Sequence, residues 1–146
     1  MEQRDYRSSI TSPLPPAQAL EAISRVSDWW TRGVTGSAGR NGDVFQVRWG
    51  ETFVNFTVAE WLPDARVVWE VTDCNLPWLE DKKEWNDTRV IWEVAPRASG
   101  STVTMTHSGL TPEAECYEKC EAGWNFYFGK SLLKLLEENR GLPDGK

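Results

Sequence analysis

The side chains able to do acid–base or thiol chemistry in this chain are few. Its single histidine, His107, closes the stretch Ser101–His107, in which Val103, Met105 and His107 alternate with Thr102, Thr104 and Thr106. An imidazole titrating near about 6.5 is the usual general base, and burial beside a carboxylate could tune it. No serine or cysteine nucleophile is signposted to accompany it, and a strand-end histidine often only bonds a backbone carbonyl. No residue is therefore assigned a catalytic role. Cys116 and Cys120, four apart on a helix, share a face, and with Cys74 and His107 they could complete a Cys₃His zinc set. Zinc sites announce themselves with closely spaced pairs such as Cys-x-x-Cys, which this chain lacks, so neither metal nor cofactor is expected. An odd cysteine count fits free thiols in a reducing cytoplasm. Asp28, Glu60, Asp73, Glu80 and Glu93 are scattered, with no spacing that dictates a shared site. Gly33, Gly36 and Gly39 lack the Lys-Ser/Thr and the preceding apolar strand of a phosphate-cradling loop.

Aromatic surface is what the chain has in excess, with nine tryptophans. Phe45, Trp49, Trp69, Trp92 and Trp124 fall on the inner side by alternation and helical periodicity, with Tyr127 beside them on the helix. Trp30, Trp78 and Trp85 lie in segments that could rim an opening. Rings of this kind either fill a thick core or line a cavity. The expected binding set is Trp30, Phe45, Trp49, Asn55, Trp69, Trp78, Trp92, His107, Cys120, Trp124 and Tyr127. Few polar groups among so many rings would suit a flat or greasy small molecule.

These side chains need a scaffold, and the patterning supplies one. Met105–Gly141 reads as a strand end, a turn and one long helix, with Thr111 as N-cap, Pro112 at the first position, and Gly141 and Pro143 as the stop. Tyr117, Cys120, Trp124, Phe128, Ser131, Leu132 and Leu135 form one stripe, with Lys119, Lys130 and Glu137 opposite. Ala122, Phe126, Gly129 and Leu133 make a narrower strip, either packed under a loop or a homodimer contact. Upstream, Asp5–Thr11 is a first strand, broken at Ser12-Pro13. Ala17–Val26 is a short helix burying Ala17, Leu20 and Ile23, and Ser27 and Asp28 cap a second helical piece carrying Trp29 and Trp30. Thr31–Asn41 reads as loop, and Asn41-Gly42 as a tight turn. A period of two then marks strands at Asp43–Trp49, Thr52–Trp61, Arg66–Asp73, Asp87–Ala95 and Ser101–His107. In the second of these the phase is ambiguous, Val54, Phe56 and Val58 opposing Phe53, Asn55 and Thr57. Cys74–Asn86 is long for a hairpin connection and is either a lid over a cavity mouth or a pair of strand ends with a solvated tip.

The order of elements implies an α+β fold, a curved antiparallel sheet around a C-terminal helix, in one domain of residues 1–146. A net charge of −6 and no basic run exclude nucleic acid as the natural partner. The polar N-terminus MEQRDYRSSI has no signal-peptide core and no segment reaches membrane-spanning length, so a cytoplasmic protein is expected. The sequons at Asn55 and Asn86 are then accidental.

Further motifs carry a family resemblance. Ser12-Pro13, the small helix and Trp29-Trp30 resemble the start of the START-like (SRPBCC) superfamily. Glu60 with Pro63-Asp64-Ala65-Arg66-Val67-Val68-Trp69, then Thr102–Leu110 (TVTMTHSGL), then Gly123-Trp124 resemble its bacterial branch, related to the C-terminal domain of the activator of the heat-shock-protein-90 ATPase. The resemblance implies a helix-grip fold with a hydrophobic cavity between sheet and helix. It also implies non-enzymatic binding of a lipid, polyketide or aromatic metabolite. A chaperone-related or stress-related interaction domain is the alternative, and a cyclase-like enzyme using His107 is a third. The eukaryotic activators clasp the chaperone with a separate N-terminal domain to which nothing here corresponds, which leaves a chaperone contact unsupported. In that branch the Thr-His-Ser-Gly turn favours a structural role for His107.

Overall fold

The computed structural model describes residues 5–145. Residues 1–4 of the polar N-terminal segment, and residue 146, lie outside the described residues. Strand β1 (Tyr6–Ser12) is followed by helix α1 (Pro16–Ser24), a 3₁₀ turn (Val26–Asp28), and strands β2 (Val34–Gly36), β3 (Val44–Trp49), β4 (Thr52–Leu62), β5 (Arg66–Asn75), β6 (Arg89–Arg97) and β7 (Gly100–Ser108). The C-terminal rod is helix α2 (Tyr117–Phe126), a π-helical segment (Tyr127–Leu132) and helix α3 (Leu133–Glu138), and a short 3₁₀ turn (Pro143–Gly145) follows.

All seven strands join one antiparallel sheet in the order β1-β7-β6-β5-β4-β3-β2. Hairpins make every connection except β1 to β2, which is where α1 sits, so the two ends of the sheet are the first strands of the chain. Two register shifts between β4 and β5 each insert an extra residue: Thr72 of β5 opposite Asn55–Phe56, and Ala59 of β4 between Val58 and Glu60. Such bulges bend a strand and raise its twist, which curls the sheet around the helix. This is the helix-grip α+β architecture.

Alternation places one face of each strand inward. In β4 it is Val54, Phe56 and Val58 that are buried, which resolves the ambiguous phase. The choice follows from register: Phe45 of β3 pairs with Phe56, stacked at 4.9 Å between ring centroids, so a slip by one residue would turn both rings to water. Trp29, Trp69, Trp92, Phe45, Phe56 and Phe128 are fully buried between sheet and helix. On the helix the expected stripe from Cys120 to Leu135 is buried, with Leu136 added.

The structure differs from the sequence reading chiefly at the two ends of the rod, in α1 and the piece after it, and in the loop before β3. The rod starts at Tyr117, not Thr111, because residues 111–116 are held in turns: the Ala114 N–H donates to the Thr111 carbonyl and the Tyr117 N–H to that of Ala114. It stops at Asn139, whose φ of 59° places it in the left-handed region, rather than at Gly141. Gly141 serves close packing: a Cβ there would lie 2.3 Å from the Asp28 carbonyl oxygen. In α1 the inward face is Ala19, Leu20, Ala22 and Ile23, with Ala17 exposed, and the piece after it ends before the tryptophans. The Thr31–Asn41 loop contains β2, which pairs with β3 through Val34, Thr35 and Gly36.

Candidate functional site

The interior is split into a filled part and an open part, and Trp30 and Trp124 stand on the line between them. On the filled side Trp29 stacks on Trp30 at 5.7 Å, Trp69 meets Trp92 edge-on at 5.1 Å, and Trp92 lies 5.9 Å from Phe128. On the other side a cleft of about 310 Å³ opens between the ends of β3 and β4, the connection after β5, and the first two turns of α2. Trp30, Trp49, Trp78, Trp85 and Trp124 wall it, with Val54, Leu76, Cys120, Gly123 and Tyr127. Thr52 and Lys119 are its remaining lining residues, and no acidic side chain is among them.

Helical geometry explains the wall on the α2 side. Lys119, Gly123 and Tyr127 recur every four residues along one edge, with Cys120 and Trp124 one position further in. Gly123 has no side chain, and a Cβ built on it would meet no atom within 4 Å, so the wall is recessed at its middle. Trp124 and Trp30 approach at 5.0 Å, and Trp85 stacks on Trp124 at 6.2 Å. These indoles are rigid and almost wholly buried, at 3 to 8% exposure for Trp30, Trp85 and Trp124. Trp78 is 42% exposed at the mouth, with the Lys119 ammonium 5.5 Å from its ring centroid.

Six of the expected binding residues meet here: Trp30, Trp49, Trp78, Cys120, Trp124 and Tyr127. The other five stand elsewhere. Phe45, Trp69 and Trp92 are sealed in the core, at 1%, 0% and 0% exposure, because other rings close over them: Trp29 packs on Trp69 and Trp92, and Phe56 and Trp69 pack on Phe45. Asn55 belongs to the opposite face of β4, where its Oδ1 accepts a bond from Gln46 Nε2 at 2.8 Å. His107 is fully buried behind the cleft wall, as the second of four members of a hydrogen-bond relay.

In that relay Trp124 Nε1–H donates to His107 Nδ1 at 3.1 Å. Nδ1 is therefore the acceptor, and Nε2 carries the proton facing Thr88 Oγ1 at 2.9 Å. The Thr88 hydroxyl in turn donates to the Trp85 carbonyl at 2.6 Å. Burial pushes the imidazole pKa down to about 3, so the ring is neutral at physiological pH. Both nitrogens are engaged and neither faces the cleft, which leaves His107 to orient Trp124.

Residues 76–86 fold into turns that dock on the start of the rod. The Glu84 carboxylate accepts from the N–H groups of Glu115 and Cys116, at 2.9 and 3.0 Å. In return the Glu115 carboxylate accepts from those of Glu80 and Asp81, at 2.9 and 3.2 Å. These two bonds hold the Glu115 carboxyl below its ordinary pKa. Leu76, Leu79 and Trp85 are buried beneath, so the segment is neither a bare tip nor a free flap.

The expectation of three free thiols is corrected. Cys116 and Cys120 form a disulfide across one helical turn, with Cα atoms 5.6 Å apart, and Cys74 alone is free and buried. The fourth-residue spacing on one helix face brought the sulfurs together, which also removes them from any thiolate metal set. Among the described residues no group of three His, Cys, Asp or Glu side chains is arranged to hold a metal ion. No helix among them is long and apolar enough to cross a membrane.

Of the wall residues absent from the expected set, Val54 awaited the phase of β4 and Leu76 lay in irregular chain. Lys119 was placed opposite the buried stripe, but the cleft opens at the flank of the helix and takes in that edge too. Gly123, beside Trp124, carried the one usable signal: a missing side chain next to a large ring.

Comparison with known proteins follows the geometry. A family model described as Activator of Hsp90 ATPase homolog 1-like protein matches residues 18–137. No curated protein matches the chain in sequence. Among solved structures, the Aha1 dimer from Colwellia psychrerythraea is similar at 22% identity and a TM-score of 0.73, covering 97% of this chain and 100% of that one. DynU16, a putative protein in the dynemicin biosynthetic locus, is similar at 20% identity and a TM-score of 0.68 over 96% of this chain and 49% of its own. Protein MLL2253 from Mesorhizobium loti gives 17% identity and a TM-score of 0.71 over 91% and 96%. At these identities the shared property is the fold.

Proposed function

Because the chain belongs to the Activator of Hsp90 ATPase homolog 1-like family, within the START-like superfamily, we propose that it binds a hydrophobic small molecule in the cleft between sheet and rod, without chemistry of its own. The observation that carries this reading is the cleft wall itself: five indoles and a glycine recess around about 310 Å³. Ligand pockets commonly span about 300–1,000 Å³, so the site suits a compact molecule, of aromatic-metabolite or short-lipid size. The indoles are packed in place by one another and offer a preformed apolar wall.

Catalysis by His107 is disfavoured by the relay, since a proton would have to leave a neutral, fully paired and desolvated ring. The test is native mass spectrometry of protein purified without denaturation, with tryptophan fluorescence titration of candidate ligands. A retained small mass and a saturable change in emission are expected. An empty protein whose emission no apolar ligand changes would instead favour the interaction-domain reading.

A second copy of the chain is the protein partner that one observation favours. Phe126, Gly129 and Leu133 form a half-buried strip on the outer side of the rod, with Ala122 exposed at its end. The neighbour from Colwellia is a dimer. Light scattering during size exclusion tests it, with Phe126→Asp expected to return a dimer to monomer.

A further inference from the structure

We infer that the ligand of this cleft carries an anionic head, held by Lys119 at the mouth, on a flat apolar body that lies against the indoles; this rests on the binding role proposed above. Lys119 is the one charged residue among the cleft's lining residues. Its ammonium makes no ion pair with a carboxylate among the described residues, in a chain of net charge −6 where eight other ion pairs form. Instead it lies 5.5 Å over the Trp78 ring, a contact that holds it at the mouth and leaves its N–H donors free for a ligand. A neutral guest would gain nothing from that charge, and a cationic one would be repelled.

The recess continues the argument. Gly123 opens the wall one turn beyond Lys119, and Tyr127 closes it one turn further, so the Cα atoms of Lys119 and Tyr127 are about 12 Å apart along the axis at about 1.5 Å per residue. Burial, and then the nearby Asp144, raise the Tyr127 phenol pKa, so its hydroxyl stays protonated at the far end. The Asp144 carboxylate beside Tyr127 disfavours an anion at that end, and Lys119 supplies the full positive charge at the other. The apolar stretch between them is what the body of the ligand covers.

Two dyes that differ by one sulfonate test this on the full chain: 8-anilinonaphthalene-1-sulfonate, and its neutral counterpart N-phenyl-1-naphthylamine. Both brighten in apolar sites, so each gives a titration. Lys119→Met is expected to weaken the sulfonate dye about tenfold, the scale of a hydrogen bond to a charged group, and to leave the neutral dye unchanged. Lys119→Arg is expected to retain it. Raising salt should weaken the sulfonate dye alone. Gly123→Leu, which fills the recess, should reduce binding of both and so locates them in the cleft. If Lys119→Met leaves both affinities unchanged while Gly123→Leu abolishes both, the anionic head is refuted and the binding role stands. If neither dye binds, or Gly123→Leu changes neither titration, the binding role falls and the head with it.

Discussion

Trp124 donates its indole N–H to His107 Nδ1 across 3.1 Å, joining the rod to the last strand inside a dry core. One side of that indole faces the cleft and its N–H faces the sheet. The imidazole is thus a fixed acceptor that sets the angle of a wall. A hydrogen bond between a helix and a strand 17 residues apart in sequence does the positioning that backbone pairing cannot.

Burial of the His107 imidazole makes stability depend on pH in a known direction. The folded imidazole titrates at about 3 and the unfolded one at 6.5, so between those values only the unfolded chain takes up the proton. Stability therefore falls as pH drops below about 6.5, by up to about 1.4 kcal/mol per pH unit. Carboxylates held low in the folded state, Asp43, Asp73 and Glu115, add their own loss only further down, where carboxylates ordinarily titrate. Urea midpoints of wild type at pH 7, 6 and 5 should decline, and His107→Phe should flatten that decline. A wild type indifferent to pH across this window would contradict the buried neutral ring.

His107→Phe carries a cost of its own at pH 7. Ring volume is roughly kept, but the Trp124 N–H loses its buried acceptor and the half-buried Thr88 hydroxyl loses its donor. Leaving a buried donor unpaired costs about 1–3 kcal/mol, which urea denaturation would read. A red-shifted, broadened tryptophan emission should accompany it as Trp124 loosens.

Filling the glycine recess separates binding from folding. Gly123→Leu meets no protein atom near its Cβ and gains about 0.5–1 kcal/mol of helix propensity. The thermal midpoint should hold or rise while ligand retention in native mass spectra is lost. A fall in the midpoint would mean that the recess is not open space.

Gly141 is predicted to behave in the opposite way. Its Cβ would press on the Asp28 carbonyl at 2.3 Å and on Trp29 Cα at 3.1 Å, both backbone atoms that cannot swing aside. Gly141→Ala should destabilise by about 1–3 kcal/mol, the range for overpacking. Gly39→Ala, with nothing within 4 Å, is the control expected to stay within about 0.5 kcal/mol of wild type or slightly above it.

The paired clasp between Glu84 and Glu115 is read by amide exchange. Glu84→Ala removes the acceptor of two N–H groups at the rod's start, so exchange at Glu115 and Cys116 should speed about tenfold. Protection in β6 and β7 should not change. Uniform protection across both regions would show the clasp to be idle.

Much of the architecture could be read directly from residue order. The period of two in β3, β6 and β7, and the run of apolar positions from Cys120 to Leu135, are local patterns that burial on one face imposes, and they survive in the fold; in β5 Val68 is buried as well and the bulge at Thr72 shifts the alternation. The same alternation marked Trp69 and Trp92 as inward, but inward is a direction and carries no depth. Whether an inward ring fills or lines depends on what lies over it, and here Trp29 packs over Trp69 and Trp92 while the flank of α2 leaves Trp49 and Trp78 open. Non-local pairings fixed the remainder: the pairing of Phe45 with Phe56 that set the phase of β4 and so turned Asn55 outward, and the carboxylates of Glu84 and Glu115 that hold the chain just ahead of the rod's start at Tyr117. Each joins groups whose meeting costs chain entropy and follows only once the sheet has curled, so no short window of residues could have announced it.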